Sequence, residues 1–157
     1  MRSLHIVLVH PEIPQNTGNI IRLCFLNEMK LHLVKPLGFS LDDASLRRAG
    51  IDYWDRFHQD VEIHEDWGAF CEGNPHLVDN AWFFSAHASR SFWDLRDEEY
   101  GDPACLVFGR ETGGLPEGFA ERYRDRLTTI PKRSPEGRSL NLSNAVAVAA
   151  YEVMRRG

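Results

Sequence analysis

Short runs of β-branched and aromatic residues alternate along the chain with stretches whose apolar residues recur at helical spacing. Six runs predict strands, at residues 4–9, 31–35, 61–64, 81–85, 104–108 and 127–130. Alternating strands and helices favour an α/β fold with a mostly parallel sheet flanked by helices. The length of 157 residues predicts a single domain, residues 1–157.

Two helices are indicated by their polar and apolar positions. Between the first two strands, Asn16 can cap a helix. The apolar residues of that helix fall on one face: Ile20, Leu23, Cys24 and Leu26. Residues 142–154 are rich in Ala and Val. They predict a helix that is apolar around much of its circumference, and a helix of this kind is expected to be buried, either in the core or against a partner.

Composition and charge narrow the class of protein. No stretch reaches the roughly 18 apolar residues of a membrane span, and no signal-peptide pattern opens the chain, so a cytoplasmic protein is expected. The net charge is −5, yet residues 122–157 carry 8 Lys and Arg against 3 Asp and Glu. This asymmetry indicates an anion-facing surface or, alternatively, a solvated basic face. The three cysteines are widely spaced and predict no disulfide.

Residues 10–22 form the first candidate functional segment, a proline-containing loop that enters a helix. Asn16 and Asn19 offer hydrogen-bond donors and acceptors, and Gly18 allows close approach of a ligand or backbone. Arg22 follows one turn later and could reach a phosphate. An ordinary helix start with a surface arginine would explain the same residues.

Residues 106–116 form the second segment, an apolar strand followed by a loop with Gly109, Gly113 and Gly114. The spacing fits neither a Walker A motif nor G-x-G-x-x-G. The loop could hold an adenosine or a ribose hydroxyl through its backbone and Glu111, or it could be a plain turn.

Residues 130–144 form the third segment, a basic loop that leads into the last helix. Ser139 or Asn141 could cap that helix. The loop also contains three basic residues suited to phosphate: Lys132, Arg133 and Arg138. No metal site is expected, because the spacing of four histidines fits no ligand motif and predicts surface or loop positions: His58, His64, His76 and His87.

Four motifs together resemble the SPOUT family of RNA methyltransferases. Within it they are similar to the small TrmL (YibK-like) branch, which methylates the ribose 2′-hydroxyl of the tRNA wobble nucleotide, position 34. The motifs are PEIPQNTGNIIRLC from Pro11, LRRAGIDYW from Leu46, VFGRETGGLP from Val107 and RSLNLSNAVAVAAYE from Arg138. The resemblance spans the chain.

The resemblance implies a deep C-terminal trefoil knot whose loops hold S-adenosylmethionine, and a homodimer that binds the tRNA anticodon stem-loop. The implied cofactor contacts are Phe84, Gly109, Ile130 and Ser139. The implied catalytic residues are Arg22, Glu111 and Asn141, and RNA contacts are expected at Asn16, Arg138 and Tyr151. Tyr151 corresponds to a tyrosine linked to dimer packing.

A hypothesis for the reaction follows from the chemistry of these side chains. The guanidinium of Arg22 stays charged at neutral pH, so it cannot simply accept a proton and is interpreted as a clamp on the target phosphate. Glu111 and Asn141 are candidates to hold the hydroxyl or the ribose. Two alternatives stay open: the same chemistry on another RNA, and a knotted RNA-binding protein without catalysis.

Overall fold

The computed structural model of the protein describes residues 1–42, 44–49, 60–136 and 139–157. Its strands are β1 (Leu4–Val9), β2 (Lys30–Val34), β3 (Val61–His64), β4 (Ala81–Phe84), β5 (Ala104–Phe108) and β6 (Leu127–Thr128). They form one sheet in the order β3-β2-β1-β5-β4-β6, and all neighbouring pairs are parallel. The predicted parallel sheet is confirmed.

Helices flank this sheet. In the described residues they are α1 (Pro14–Leu26), α2 (Ala44–Ala49), α3 (Trp67–Gly73), α4 (Pro75–Asn80), α5 (Phe119–Arg122) and α6 (Leu142–Arg156). Short 3₁₀ turns occupy Phe92–Asp94, Asp97–Glu99 and Arg124–Arg126. No helix in these ranges is long and apolar enough to cross a membrane.

The sheet has an apolar layer on each face. Ile6 and Leu8 of β1 pack in one layer with residues of α1 and α6, whereas Val7 and Val9 pack in the other with Phe70 of α3. Neighbouring residues of a strand point to opposite faces, so β1 contributes to both layers. Burial on both faces explains why β1, β4 and β5 read as almost continuous apolar runs.

Helix α1 begins earlier than the sequence predicted. Its N-cap is Ile13, and Pro14 occupies the first helical position, where the missing proline N–H costs nothing. The predicted cap at Asn16 is wrong, because Asn16 lies buried inside the first turn. The predicted apolar face also ends early, since Leu26 is 59% exposed.

The start of helix α6 matches one of the two predicted caps, Ser139 and Asn141. The Asn141 side chain accepts hydrogen bonds from the N–H groups of Ser143 and Asn144, so Asn141 is the N-cap. One face of the helix is buried, including Val146 and Val153, and it packs on the α1 side of the sheet. Tyr151, on another face, is 53% exposed.

The segment that follows β6 is bound to the segment that follows β4. Ser85 N–H donates to the Thr128 carbonyl oxygen at 2.9 Å, and Phe92 N–H donates to that of Thr129 at 2.8 Å. The Thr128 hydroxyl donates to the Arg90 carbonyl oxygen at 3.0 Å. The chain therefore leaves β6, at one edge of the sheet, in contact with residues 85–92, before it reaches α6 beside α1.

The histidines differ in their positions. His76 and His87 are exposed, as predicted. The prediction for His64 is wrong, because it lies in β3 with its side chain only 13% exposed. His58 lies outside the described residues. The cysteines are free: Cys24 and Cys105 are buried and Cys71 is partly buried.

Candidate active site

The carboxyl ends of four strands create the candidate site. Phe108 of β5 pairs with Leu8 of β1 and with Phe84 of β4, and Phe84 also pairs with Thr128 of β6. Parallel strands end at the same edge of a sheet, so the loops that follow these strands become neighbours. Open α/β sheets form their binding crevices at this edge.

The loop 109–116 folds back tightly on itself. Arg110 N–H donates to the Gly114 carbonyl oxygen at 3.1 Å. A Cβ atom on Gly109 would lie 2.1 Å from the Gly114 carbonyl carbon, so only glycine fits there. Gly113 and Gly114 have φ values of +90° and +70°, which glycine adopts without strain. The glycine pattern of this motif therefore encodes the loop's shape.

Two carboxylates connect the loops that follow β1 and β5. The Glu111 carboxylate accepts hydrogen bonds from the backbone N–H groups of Glu12 at 2.8 Å and Ile13 at 3.1 Å. The Glu12 carboxylate accepts from the hydroxyl of Thr112 at 2.6 Å and from its N–H at 2.9 Å. Glu111 also supplies a carboxylate to the start of α1, whose N-cap residue makes no side-chain cap. We call this four-residue contact the carboxylate clamp.

Asn141 connects the starts of α6 and α1. Its Nδ2 donates to Oδ1 of Asn16 at 3.0 Å, and its Oδ1 accepts from the Ser143 hydroxyl at 2.6 Å and N–H at 2.9 Å. The third motif is thereby attached to the first. The structure thus brings three predicted site residues, Asn16, Glu111 and Asn141, to the first turn of α1.

Arg22 lies further along α1, and its side chain is exposed. Six residues separate it from Asn16, which corresponds to about 9 Å along a helix at a rise of roughly 1.5 Å per residue. The structure therefore places the Arg22 backbone away from the first turn, on the part of α1 that faces solvent.

Three of the four predicted cofactor residues lie at or after neighbouring strand ends. Phe84 ends β4 and stacks on Phe108 with ring centroids 4.4 Å apart. Gly109 follows β5, and half-buried Ile130 follows β6 and packs on the core. Ser139 is exposed, two residues before the N-cap of α6.

The predicted RNA-binding residues are not gathered at one place. Asn16 is buried beside Asn141, whereas Tyr151 lies ten residues beyond Asn141 on α6, about 15 Å along the helix. The Tyr151 hydroxyl is 3.5 Å from Nδ2 of Asn27 near the end of α1. Arg138 lies outside the described residues.

Sequence reasoning missed Glu12 and Thr112, the second half of the carboxylate clamp. Their contact spans 100 residues of chain, and neither belongs to a local motif that requires the other. The pKa of Glu12 is lowered by two hydrogen bonds to its carboxylate, of which the one from the Thr112 hydroxyl contributes most and the one from the Thr112 N–H comes second. His10 was also missed as a special position, although its φ of 59° is in the left-handed region that few histidines adopt.

The fold and its loops define a member of a known methylase family. Residues 3–151 match the SpoU rRNA Methylase family, and the chain therefore belongs to it. This membership confirms the resemblance to SPOUT RNA methyltransferases.

Particular relatives narrow the comparison. The tRNA (cytidine(34)-2′-O)-methyltransferase of Burkholderia ambifaria is 44% identical over 153 residues, which cover 97% of this chain and 94% of that protein. A solved structure described as giving insight into the 2-OH methylation of C/U34 on tRNA is 42% identical, with a TM-score of 0.85 and coverage of 99% and 96%. The AdoMet complex of the SpoU methyltransferase AviRb from Streptomyces viridochromogenes shares the fold at 21% identity and a TM-score of 0.79, over 99% of this chain and 60% of that one.

Proposed function

We propose that this chain is a tRNA 2′-O-ribose methyltransferase that uses S-adenosylmethionine and modifies a cytidine or uridine at position 34. The observation that carries the proposal is the full-length match, at 44% identity, to an enzyme named for that reaction on cytidine 34. The structure related to C/U34 methylation supports the same nucleotide position.

The residues at the strand ends suit the nucleoside part of this cofactor. Phe84 and Ile130 provide apolar groups, and the loop after β5 exposes the backbone of Gly113 and Gly114, while buried Gly109 lets the loop fold back on itself. Nucleoside sites combine such apolar walls with a few backbone hydrogen-bonding groups. Gly109, Phe84, Ile130 and Ser139 would hold the cofactor, which supplies an activated methyl group when bound.

The protein's main task is to position the ribose hydroxyl, because the methyl group of a sulfonium is already reactive. The guanidinium of Arg22 binds the phosphate next to the target ribose through its planar set of N–H donors. Nδ2 of Asn141 has two hydrogens, of which one binds Asn16, so the second can contact the ribose. The proton of the hydroxyl passes to phosphate or water.

Glu111 acts in this scheme as a positioning residue. Its carboxylate oxygens accept hydrogen bonds from the backbone N–H groups of Glu12 and Ile13. The carboxylate clamp thus fixes the Gly109 loop against the start of α1, so the cofactor loop and the amide pair of Asn16 and Asn141 keep one relative position.

The proposal includes the trefoil knot of the SPOUT fold. The contacts of Thr128 and Thr129 with residues 85–92 support the knot. They hold the end of β6 against the connection from β4 to β5, and the chain continues to α6 only after this contact. Loops after β5 and β6 that belong to one knot would move little relative to each other, which favours ordered binding of a bent cofactor.

We also propose that the enzyme works as a cytoplasmic homodimer. Leu26 at the end of α1 and Tyr151 and Val148 on α6 are large apolar side chains that are 59%, 53% and 38% exposed. Apolar groups exposed on neighbouring elements favour a self-complementary interface. A dimer would present two basic loops, each with Lys132 and Arg133, to the anticodon stem-loop.

The test is transfer of labelled methyl from S-adenosylmethionine to bulk tRNA that lacks the position-34 modification, followed by nuclease digestion and mass mapping. A 2′-O-methyl group at position 34 is the expected result. Methyl transfer only to ribosomal RNA would contradict the tRNA assignment. If the chain binds the cofactor but transfers no methyl group to tRNA or to ribosomal RNA, the result would contradict the enzymatic proposal and support a non-catalytic RNA-binding role.

A further inference from the structure

Three histidines cross the sheet on three adjacent strands. His5 of β1, His32 of β2 and His64 of β3 lie on the face that packs against α3. His5 Nδ1 is 2.9 Å from His32 Nε2, and His32 Nδ1 is 3.0 Å from His64 Nε2. None of these rings belongs to the candidate active site, which is built from the loops after the strands.

We propose that His32, Glu62 and His64 form a binding site for a zinc-class divalent metal ion that ties edge strand β3 to β2. Glu62 Oε2 lies 3.5 Å from His32 Nδ1 and 3.9 Å from His64 Nε2. Together with the 3.0 Å between the two nitrogens, these atoms form a compact triangle. Ligands about 2.0–2.1 Å from a tetrahedral zinc ion lie about 3.3 Å apart, so the triangle has the required size.

The chemistry of the donors selects the class of ion. Two imidazole nitrogens and one carboxylate oxygen suit zinc and its neighbours in the transition series, whereas calcium and magnesium require mostly oxygen. The strand register explains how the donors meet: His32 pairs directly with Glu62, and His64 follows on the same face of β3.

The surroundings of His32 support its role as a ligand. Its side chain is 1% exposed, and its other ring nitrogen, Nε2, bonds to His5. Histidine ligands usually donate their second N–H to a hydrogen-bond acceptor. In the tautomer in which His32 Nε2 donates to His5 Nδ1, Nδ1 of His32 keeps the lone pair that the metal needs. Phe70 contacts His32 and His64 edge-on, with centroids 5.3 and 5.1 Å away, and covers the rings on the α3 side.

Glu62 provides the entry to the site. Its side chain is 49% exposed, so an ion and a fourth ligand, water, can arrive from solvent at the outer strand of the sheet. The ion would take the place of the hydrogen between His32 and His64. Since β3 pairs only with β2 within the described sheet, a bond that joins the two strands stabilises this edge.

Metal binding can be measured without any assay of RNA methylation. The full chain, free of affinity tag and dialysed against chelator, is titrated with Co²⁺ and followed by visible absorption. Zn²⁺ is then added in competition. We expect one Co²⁺ per chain, with the strong visible bands of a four-coordinate ion, and displacement of Co²⁺ by Zn²⁺.

Variants locate the ion. Glu62→Gln removes a half-exposed ligand with little risk to folding, and we expect it to weaken Zn²⁺ binding at least about tenfold. His64→Gln should do the same, whereas His87→Gln, at an exposed histidine elsewhere, should bind as the unaltered chain does. Zn²⁺ should also raise the melting temperature of the unaltered chain more than that of Glu62→Gln.

Three results would overturn the site. They are no binding of Co²⁺ or Zn²⁺, Zn²⁺ affinity of the Glu62→Gln and His64→Gln variants equal to that of the unaltered chain, and a thiolate-to-cobalt absorption band, which would assign the ion to a cysteine. None of these results depends on the proposed methyltransferase activity, so failure of either proposal is recognised separately.

Discussion

Glu111 accepts a hydrogen bond from the backbone N–H of Glu12 at 2.8 Å, although 99 residues separate them along the chain. The side chain of Glu12 returns the contact by accepting from Thr112. The two loops after β1 and β5 are thus bound to each other in both directions. A site assembled from distant segments needs such a connection, because loops are otherwise the most mobile parts of a fold.

Replacement of Glu111 by Gln should separate positioning from folding. The amide keeps one acceptor oxygen but loses the charge, which lowers unfolding free energy by about 1 kcal/mol. We expect a larger effect on KM for S-adenosylmethionine, since the Gly109 loop loses its attachment to α1. Steady-state kinetics and thermal unfolding measure the two effects. The control is Glu117→Gln, at an exposed residue of the same region; equal KM values in both variants would contradict the positioning role.

Replacement of Gly109 by Ala should abolish cofactor binding. The new Cβ would lie 2.1 Å from the Gly114 carbonyl carbon and 2.3 Å from the Leu115 nitrogen, so the loop must open. We expect a stability loss of about 1–3 kcal/mol from the forced backbone shift. Equilibrium dialysis with S-adenosylmethionine and thermal unfolding are the measurements. Gly73→Ala is the matched control, since nothing lies within 4 Å of its Cβ position; unchanged cofactor affinity in Gly109→Ala would disprove the loop's role.

The sequence predicted where the strands lie along the chain but not their order in the sheet. Strands buried on both faces have unbroken apolar runs, and these mark β1 and β5 clearly. The position of β5 between β1 and β4 depends on pairing across most of the chain, which no local pattern encodes. The helix start was misjudged for a local reason: Pro14 signals the first helical position, two residues before Asn16.

The parts of the candidate site that depend only on nearby residues were predictable. Asn141 was one of two caps, with Ser139, predicted from their positions before an apolar helix, and the structure selects Asn141. The bond from Asn141 to Asn16 and the carboxylate clamp could not be foreseen, because they join segments 125 and about 100 residues apart. The histidine cluster was missed for the same reason, since its members sit on separate strands whose register decides that they meet.

Asn141→Asp should reveal how much the link to Asn16 contributes. Aspartate still caps α6, with a charge that favours the helix start. Its second oxygen would face Oδ1 of Asn16, where the amide now donates at 3.0 Å. We expect nearly normal thermal stability but reduced methyl transfer. Asn141→Ala also loses the helix cap, so we expect it to be less stable than Asn141→Asp by about 0.5–2 kcal/mol. Full turnover by Asn141→Asp would show that the link has no role in the reaction.

Arg22→Lys should impair turnover although it retains the positive charge. Lysine cannot reproduce the two parallel hydrogen bonds that a guanidinium makes with a phosphate. We expect kcat to fall at least about tenfold, while affinity for S-adenosylmethionine stays the same. Single-turnover methylation of tRNA tests this. The matched control is Arg124→Lys, at an exposed position in the last 3₁₀ turn, which should leave turnover unchanged. Near-normal turnover by Arg22→Lys would contradict the role of Arg22 in binding the phosphate.

Tyr151→Ala should disrupt the homodimer without unfolding the chain. The side chain is 53% exposed in the single chain, so its loss leaves the core unchanged, but it removes a large apolar group from the proposed interface. Sedimentation velocity should show a shift toward monomer, and tRNA affinity should fall with it because two basic loops no longer act together. Tyr151→Phe keeps the ring and loses only the hydroxyl contact with Asn27, a long one at 3.5 Å, so it should remain dimeric. Weaker tRNA binding with an unchanged sedimentation profile would assign Tyr151 to the RNA surface instead, whereas no change in either measurement would exclude both roles.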